Sequence, residues 1–264
     1  MKKITLAQLQ AMKTQEKITM VTAYSYSIAK VLEEAQIELI LVGDSLGNVF
    51  QGQENTLGVT IEEMIYHSKI VRRGAPQSFI VVDMPFMSFQ VSAEQTLINA
   101  GKIMKEANPN AVKLEGASEV VLESIKKITT AGIPVMGHLG FTPQSVNALS
   151  GYKIQGKLPP AAQQIINEAK AVEAAGAFSL VLEMIPAELA KTITNVLKIP
   201  VISCGAGPHC DGQVLVIDDI LGLSAKSPKF AKQYTAAHTL FLNAVTSYAQ
   251  EVKSGKFPDL THSF

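Results

Sequence analysis

Leu39-Ile40-Leu41-Val42-Gly43-Asp44-Ser45 is the stretch from which the rest of the chain is read. An uninterrupted apolar run of this length predicts a strand buried on both faces, as in a parallel sheet wrapped by helices. The run then stops at a glycine and an acid. A carboxylate at the end of a buried strand is costly unless something pairs with it. Taken alone, Asp44 reads equally well as a loop aspartate capping the next turn. The pattern recurs, however. Phe79–Val82 leads into Asp83, Ala111–Leu114 into Glu115, and Ser179–Leu182 into Glu183. Short apolar runs that each deliver an acid at the same end predict a barrel with a carboxylate-lined mouth.

Working outward, further strands are predicted at Ile18–Tyr24, Ile133–Gly137, Val201–Cys204 and Val214–Leu221, the last with Asp218 and Asp219 inside it. Helical patterns separate them, at Ser27–Ala35, Thr60–Arg73, Ser92–Ala107, Ser118–Ala131, Ala161–Ala175 and Pro186–Val196, and again from Pro228 onward. Thr60-Ile61-Glu62-Glu63 has the form of a capping box. Thr5–Lys17 places Leu6, Leu9 and Met12 near helical spacing, and a helix before the first strand is expected to close the barrel floor. Strand and helix alternate about eight times, which predicts an α/β fold, a (β/α)8 TIM barrel forming a single domain over residues 1–264. The competing doubly wound sheet often carries a Gly-rich fingerprint after its first strand. Thr22-Ala23-Tyr24-Ser25 is nothing like one. Leu46–Thr60 and Phe141–Lys157 are long polar loops, of a length usually tied to function.

Composition narrows the partners. Lysine plus arginine is 23 and aspartate plus glutamate is 23, so no basic surplus points to nucleic acid or an anionic membrane. No segment approaches the roughly 18 apolar residues of a membrane span. Hydrophobic residues make up 47%, which fits apolar area buried between subunits and fits Ala-rich helices equally well. Cys204 and Cys210 match no common zinc spacing and make no disulfide framework, as expected of a cytoplasmic protein.

In a barrel the C-terminal strand ends converge on one site. Here they carry Asp44 and Ser45, Asp83, Lys113 and Glu115, His138, Glu183, and the turn Gly205-Ala206-Gly207. Acids gathered there repel one another, so either one is protonated or a cation sits among them. Oxygen ligands favour Mg2+ or another hard divalent ion. Lys113 and Glu115 are two apart on one strand and share a face. Lys113 reads as a structural ion pair, as an electrophile for a carboxylate or enolate, or as a Schiff-base lysine, the last disfavoured by neighbouring acids. His138 reads as a ligand, a substrate contact or a satisfied barrel histidine. Ser45 reads as a substrate contact or a turn cap. Gly205-Ala206-Gly207 reads as a phosphate loop or a tight turn.

Long separated segments then carry a resemblance: Val42-Gly43-Asp44-Ser45-Leu46-Gly47, Asp83-Met84-Pro85-Phe86-Met87, Val112-Lys113-Leu114-Glu115-Gly116, Gly137–Ser145, Tyr152–Gly156, Gly205-Ala206-Gly207 with Asp211-Gly212-Gln213, and Pro228-Lys229-Phe230. Over nearly its whole length the chain resembles ketopantoate hydroxymethyltransferases. That resemblance implies a barrel of the phosphoenolpyruvate/pyruvate-domain type in a homo-oligomer, a decamer in bacterial relatives. It implies Mg2+ at Asp44, Asp83 and Glu115, 3-methyl-2-oxobutanoate against Asp44, Ser45, Asp83 and Lys113, and Glu183 as proton acceptor. The one-carbon donor it implies is 5,10-methylenetetrahydrofolate. Departures from the family pattern fall at Ser25, Asn48, Ala117 and Cys204, away from the metal, lysine and base positions. The nearest rival is a Mg2+-dependent C–C lyase acting on a 2-oxo acid or isocitrate-like substrate. Such lyases typically carry a reactive Cys in the loop after strand four, where this chain has Glu115-Gly116-Ala117-Ser118.

Overall fold

The computed structural model describes residues 3–224 and 226–264. Eight parallel strands close into a barrel in chain order, with β1 pairing both β2 and β8. They are β1 (Ile18–Thr22), β2 (Leu39–Val42), β3 (Phe79–Asp83), β4 (Ala111–Glu115), β5 (Val135–Gly140), β6 (Ser179–Glu183), β7 (Val201–Cys204) and β8 (Gly212–Leu215). The helices are α1 (Leu6–Met12), α2 (Tyr26–Glu34), α3 (Leu46–Val49), α4 (Ile61–Gly74), α5 (Ala93–Ala107), α6 (Glu119–Thr130), α7 (Pro159–Ala174), α8 (Ala187–Val196), α9 (Ile217–Leu221) and α10 (Ala237–Lys253). Thr60 and Glu63 form the expected capping box of α4. The described chain forms two compact units, one ending at Val216 and carrying all eight strands, the other running Ile217–Phe264. Among the described residues no helix is long and apolar enough to cross a membrane.

Strand alternation builds the barrel interior. Alternate residues of a strand share one face, so Leu39 and Leu41, Phe79 and Val81, Ala111, Met136, Val181, Ile202 and Val214 join one buried apolar cluster. Leu9 of α1 belongs to the same cluster, with Leu6 and Met12 packed against it, so α1 closes the floor as expected. Continuing the same alternation upward, the next inward positions on β3, β4, β5 and β6 are Asp83, Lys113 with Glu115, His138, and Glu183. The polar mouth is therefore the continuation of the apolar columns beneath it.

The end of β5 is tied to the end of β6, where the Phe141 N–H donates to the Glu183 carbonyl oxygen at 2.8 Å. Gly140 makes this approach feasible. Its φ is +94°, and a Cβ there would lie 2.2 Å from the Glu183 carbonyl oxygen. Gly140→Ala is expected to destabilise the protein by about 3 kcal/mol, from overpacking and left-handed backbone strain together. Urea denaturation of the variant against the parent checks this.

The structure departs from the sequence reading in several places, among them the start of the Leu46–Thr60 loop, where Leu46–Val49 is helical, and β5, which runs Val135–Gly140 rather than Ile133–Gly137. The last strand is Gly212–Leu215 rather than Val214–Leu221, and Ile217–Leu221 is helical. Asp218 and Asp219 stand in the first turn of that helix, where carboxylates suit its positive end. The first helix stops at Met12 instead of Lys17, because Thr14 turns left-handed at φ +62°. After Pro228 the chain is not yet helical. Ala231 N–H closes a tight turn onto the Pro228 carbonyl at 2.9 Å, and α10 starts only at Ala237.

Candidate active site

Cross-strand register decides which mouth groups meet. Asp83 on β3 is level with Lys113 on β4, and Glu115 on β4 is level with His138 on β5. Accordingly Lys113 Nζ lies 2.7 Å from Asp83 Oδ1 and 3.2 Å from His138 Nδ1. His138 Nε2 lies 3.2 Å from Glu183 Oε2. Asp44 follows β2, and its backbone N–H donates to Asp83 Oδ2 at 3.1 Å. Asp44, Asp83, Lys113, Glu115 and His138 are buried, whereas Glu183 keeps some exposure. Six of the residues expected at the strand ends, Asp44, Asp83, Lys113, Glu115, His138 and Glu183, thus meet in one constellation.

Protonation follows from this packing. Burial opposes charge on Lys113, but Asp83, Glu115 and Asp44 outweigh it and hold the ammonium well above its ordinary range. A lysine held so firmly charged is not an amine nucleophile. Burial pushes the Asp44 carboxyl well up, and repulsion from Asp83 and Glu115 adds to it against Lys113 and Gln144. Glu115 is pushed up to about 7, by burial first and then by Asp83, against Lys113 and the Gln144 N–H. Burial, then the Lys113 charge, lowers His138, with Glu183 and Asp83 opposing. His138 is therefore neutral. An ammonium can only donate, so Nδ1 is the acceptor and the imidazole proton sits on Nε2, beside Glu183. That N–H is not aligned as a hydrogen bond, so the approach to Glu183 is an electrostatic contact.

The tautomer also explains an orphan. Glu115 Oε1 is 3.4 Å from His138 Nδ1, and when Glu115 is ionised both are acceptors. Among the described residues Glu115 Oε1 has no hydrogen-bond donor, and Asp83 Oδ1 is held by the Lys113 ion pair alone. Buried carboxylate oxygens left this way suit a hard cation. No three acidic, His or Cys side chains among the described residues stand together as a ready-made metal cage. Mg2+ does not need one, since it keeps several waters and takes one or two carboxylates plus substrate oxygens. The undonated Glu115 Oε1 and the Asp83 carboxylate, with Asp44 beside them, are donors of the kind such a cation takes.

Ser45 precedes α3 but makes no capping bond to it; its hydroxyl pairs with Tyr24 Oη at 2.8 Å. Gly205-Ala206-Gly207 is a tight turn, in which Ala206 N–H donates to Ser203 Oγ at 3.0 Å. Gly207 passes so close to α8 that a Cβ would lie 2.6 Å from that of Ala187. Cys204 and Cys210 form no disulfide.

The sequence reading missed Gln144 and Tyr152. Gln144 lies in a 3-10 turn, Pro143–Ser145, and is buried against Asp44 and Glu115. The Tyr152 ring packs on Phe141 at a tilt of 34°, with centroids 5.0 Å apart. Burial, then Glu183 and Asp44, push its phenol up, which marks it as a neighbour of the mouth. Both residues lie inside the motif segments quoted above, but no periodicity singles out a loop residue.

Comparison with known proteins adds the following. Residues 3–260 match the family described as ketopantoate hydroxymethyltransferase. A protein of Geobacter metallireducens named 3-methyl-2-oxobutanoate hydroxymethyltransferase is 52% identical over 265 residues, covering 100% of this chain and 99% of its own. One of Leptospira interrogans with the same name is 51% identical over 253 residues, covering 96% of each. Among solved structures, a phosphonopyruvate hydrolase in complex with oxalate and Mg2+ aligns with a TM-score of 0.63 at 14% identity, over 98% of this chain and 93% of that one. A 2,3-dimethylmalate lyase of the PEP mutase/isocitrate lyase superfamily aligns at 0.61 and 13% identity, over 98% and 91%. At such identities these two structures bear on the fold alone.

Proposed function

Since the chain belongs to the ketopantoate hydroxymethyltransferase family, we propose that it moves a one-carbon unit from 5,10-methylenetetrahydrofolate to 3-methyl-2-oxobutanoate, giving ketopantoate in the first committed step of pantothenate synthesis. It is a transferase, and full-length relatives of that name do not favour the lyase alternative. The observation that carries the reading is a permanently charged Lys113 connected through neutral His138 to the partly exposed Glu183.

In this reading the 2-oxo acid lies against Asp44, Ser45, Asp83 and Lys113. Mg2+, held by Asp44, Asp83 and Glu115, would act as a Lewis acid on the keto oxygen and make the C3–H more acidic. Glu183 takes the C3 proton. Lys113 faces the negative charge that develops on the enolate oxygen and is already desolvated and oriented by Asp83. His138, with its proton on Nε2, steadies the Glu183 carboxylate that lies 3.2 Å away. The C3 carbon then bonds to the one-carbon unit. The two C–N bonds that held the methylene to the folate break, water supplies the hydroxyl oxygen, and the proton taken by Glu183 together with one from water completes the two N–H groups of the departing tetrahydrofolate. Location in the cytoplasm and assembly as a homo-oligomer, a decamer as in bacterial relatives, belong to the same reading.

Purified protein supplied with both substrates and Mg2+ should form ketopantoate and tetrahydrofolate in equal amounts. Cleavage of a 2-oxo acid without folate would support the lyase instead. Metal binding should also depend on pH. Glu115 without metal titrates at about 7 and must lose its proton to act as a ligand. Apparent Mg2+ affinity is therefore expected to be about tenfold weaker at pH 6 than at pH 8. Calorimetric titration checks this, and equal affinity at both pH values would remove Glu115 from the ligand set.

A further inference from the structure

Gln144 takes no part in the steps above, yet it is buried and each of its side-chain polar atoms is engaged. Its Nε2 donates to Asp44 Oδ2 and to the Met84 carbonyl, both at 2.9 Å. Its Oε1 accepts from Gln90 Nε2 at 3.1 Å. Its backbone N–H donates to Glu115 Oε2 at 3.0 Å. The amide is not reversed, since its oxygen would then face the Met84 carbonyl, which has no proton to offer, and its nitrogen would face the Gln90 amide donor. One residue on the loop after β5 thus grips the ends of β2 and β4 and the residue that follows Asp83. Resting on the Mg2+ reading above, we propose that Gln144 is a positioning residue for the metal. It fixes one oxygen of Asp44 and one of Glu115, and so sets where the undonated Glu115 Oε1 is directed. Groups that orient metal ligands in this way typically govern affinity as strongly as they govern activity.

The test is Mn2+ titration of the full chain, with free Mn2+ followed by electron paramagnetic resonance and folding followed by thermal melts. Gln144→Met keeps the volume and removes both donor and acceptor. Gln144→Glu keeps the acceptor for Gln90 and loses the donor to Asp44. Each folded variant is expected to bind Mn2+ about 10- to 100-fold more weakly than the parent. A residue that only fills space would leave the affinity unmoved, so parental affinity in either folded variant overturns the proposal. Gln90→Leu releases only the contact behind the amide and serves if both variants unfold; a smaller weakening is expected, and none would overturn the proposal. Absence of Mn2+ binding by the parent would instead overturn the metal reading on which it rests.

Discussion

Lys113→Met is expected to lower kcat by about 10²- to 10³-fold and to cost about 3 kcal/mol of stability. The two losses have one origin. Lys113 Nζ sits 2.7 Å from Asp83 Oδ1, and both side chains are about 4% exposed. Removing one member of a buried ion pair strands the other charge, which typically costs 3–5 kcal/mol. Here the lower end is expected, because Asp44 and Glu115 already titrate high and can take up protons once the ammonium is gone. Methionine fills most of the space, so a cavity adds little. The catalytic loss is separate, since among the described mouth residues no second cationic side chain is placed to work beside Mg2+ on the developing enolate oxygen. Urea denaturation and steady-state kinetics on the same preparation separate the two effects.

Glu183→Gln is expected to lower kcat by about 10³-fold while leaving stability within roughly 0.5 kcal/mol of the parent. Glu183 ends β6 with some solvent exposure, and its side chain has no part in the Lys113–Asp83 pair. Glutamine keeps the shape and a polar neighbour for His138 but cannot accept the C3 proton. Substrate KM is expected to change only a few fold, because the groups proposed to hold the 2-oxo acid lie just past β2 and on β3 and β4. A large KM rise with kcat preserved would move Glu183 from the chemistry to binding.

The barrel was legible because its strands are short apolar runs that end in acids, a pattern a parallel strand wrapped by helices imposes on its sequence. The same criterion failed at Val214–Leu221. There an apolar run crosses from the end of β8 into α9, and a short apolar run does not distinguish strand from helix. Thr14 ended α1 early through a left-handed backbone that no hydrophobic pattern announces. At the site the residue types were legible but their pairings were not. That Asp83 rather than Glu115 holds Lys113 follows from the register that sets Asp83 opposite Lys113, which is a property of the closed sheet. The roles of Asp44, Asp83, Glu115 and Glu183 came from the family resemblance, not from spacing. Gln144 stayed hidden because its partners lie 29 and 100 residues away along the chain.

As proposed, this mouth generates an enolate from a 2-oxo acid, with Glu183 as the base. Deuterium incorporation at C3 of 3-methyl-2-oxobutanoate, followed by NMR in D2O with Mg2+ and tetrahydrofolate, tests it without the group transfer itself. Exchange by the parent enzyme is expected, dependent on Mg2+ and lost in folded Glu183→Gln. Exchange at the parental rate in Glu183→Gln, or none by the folded, Mg2+-loaded parent, would contradict it.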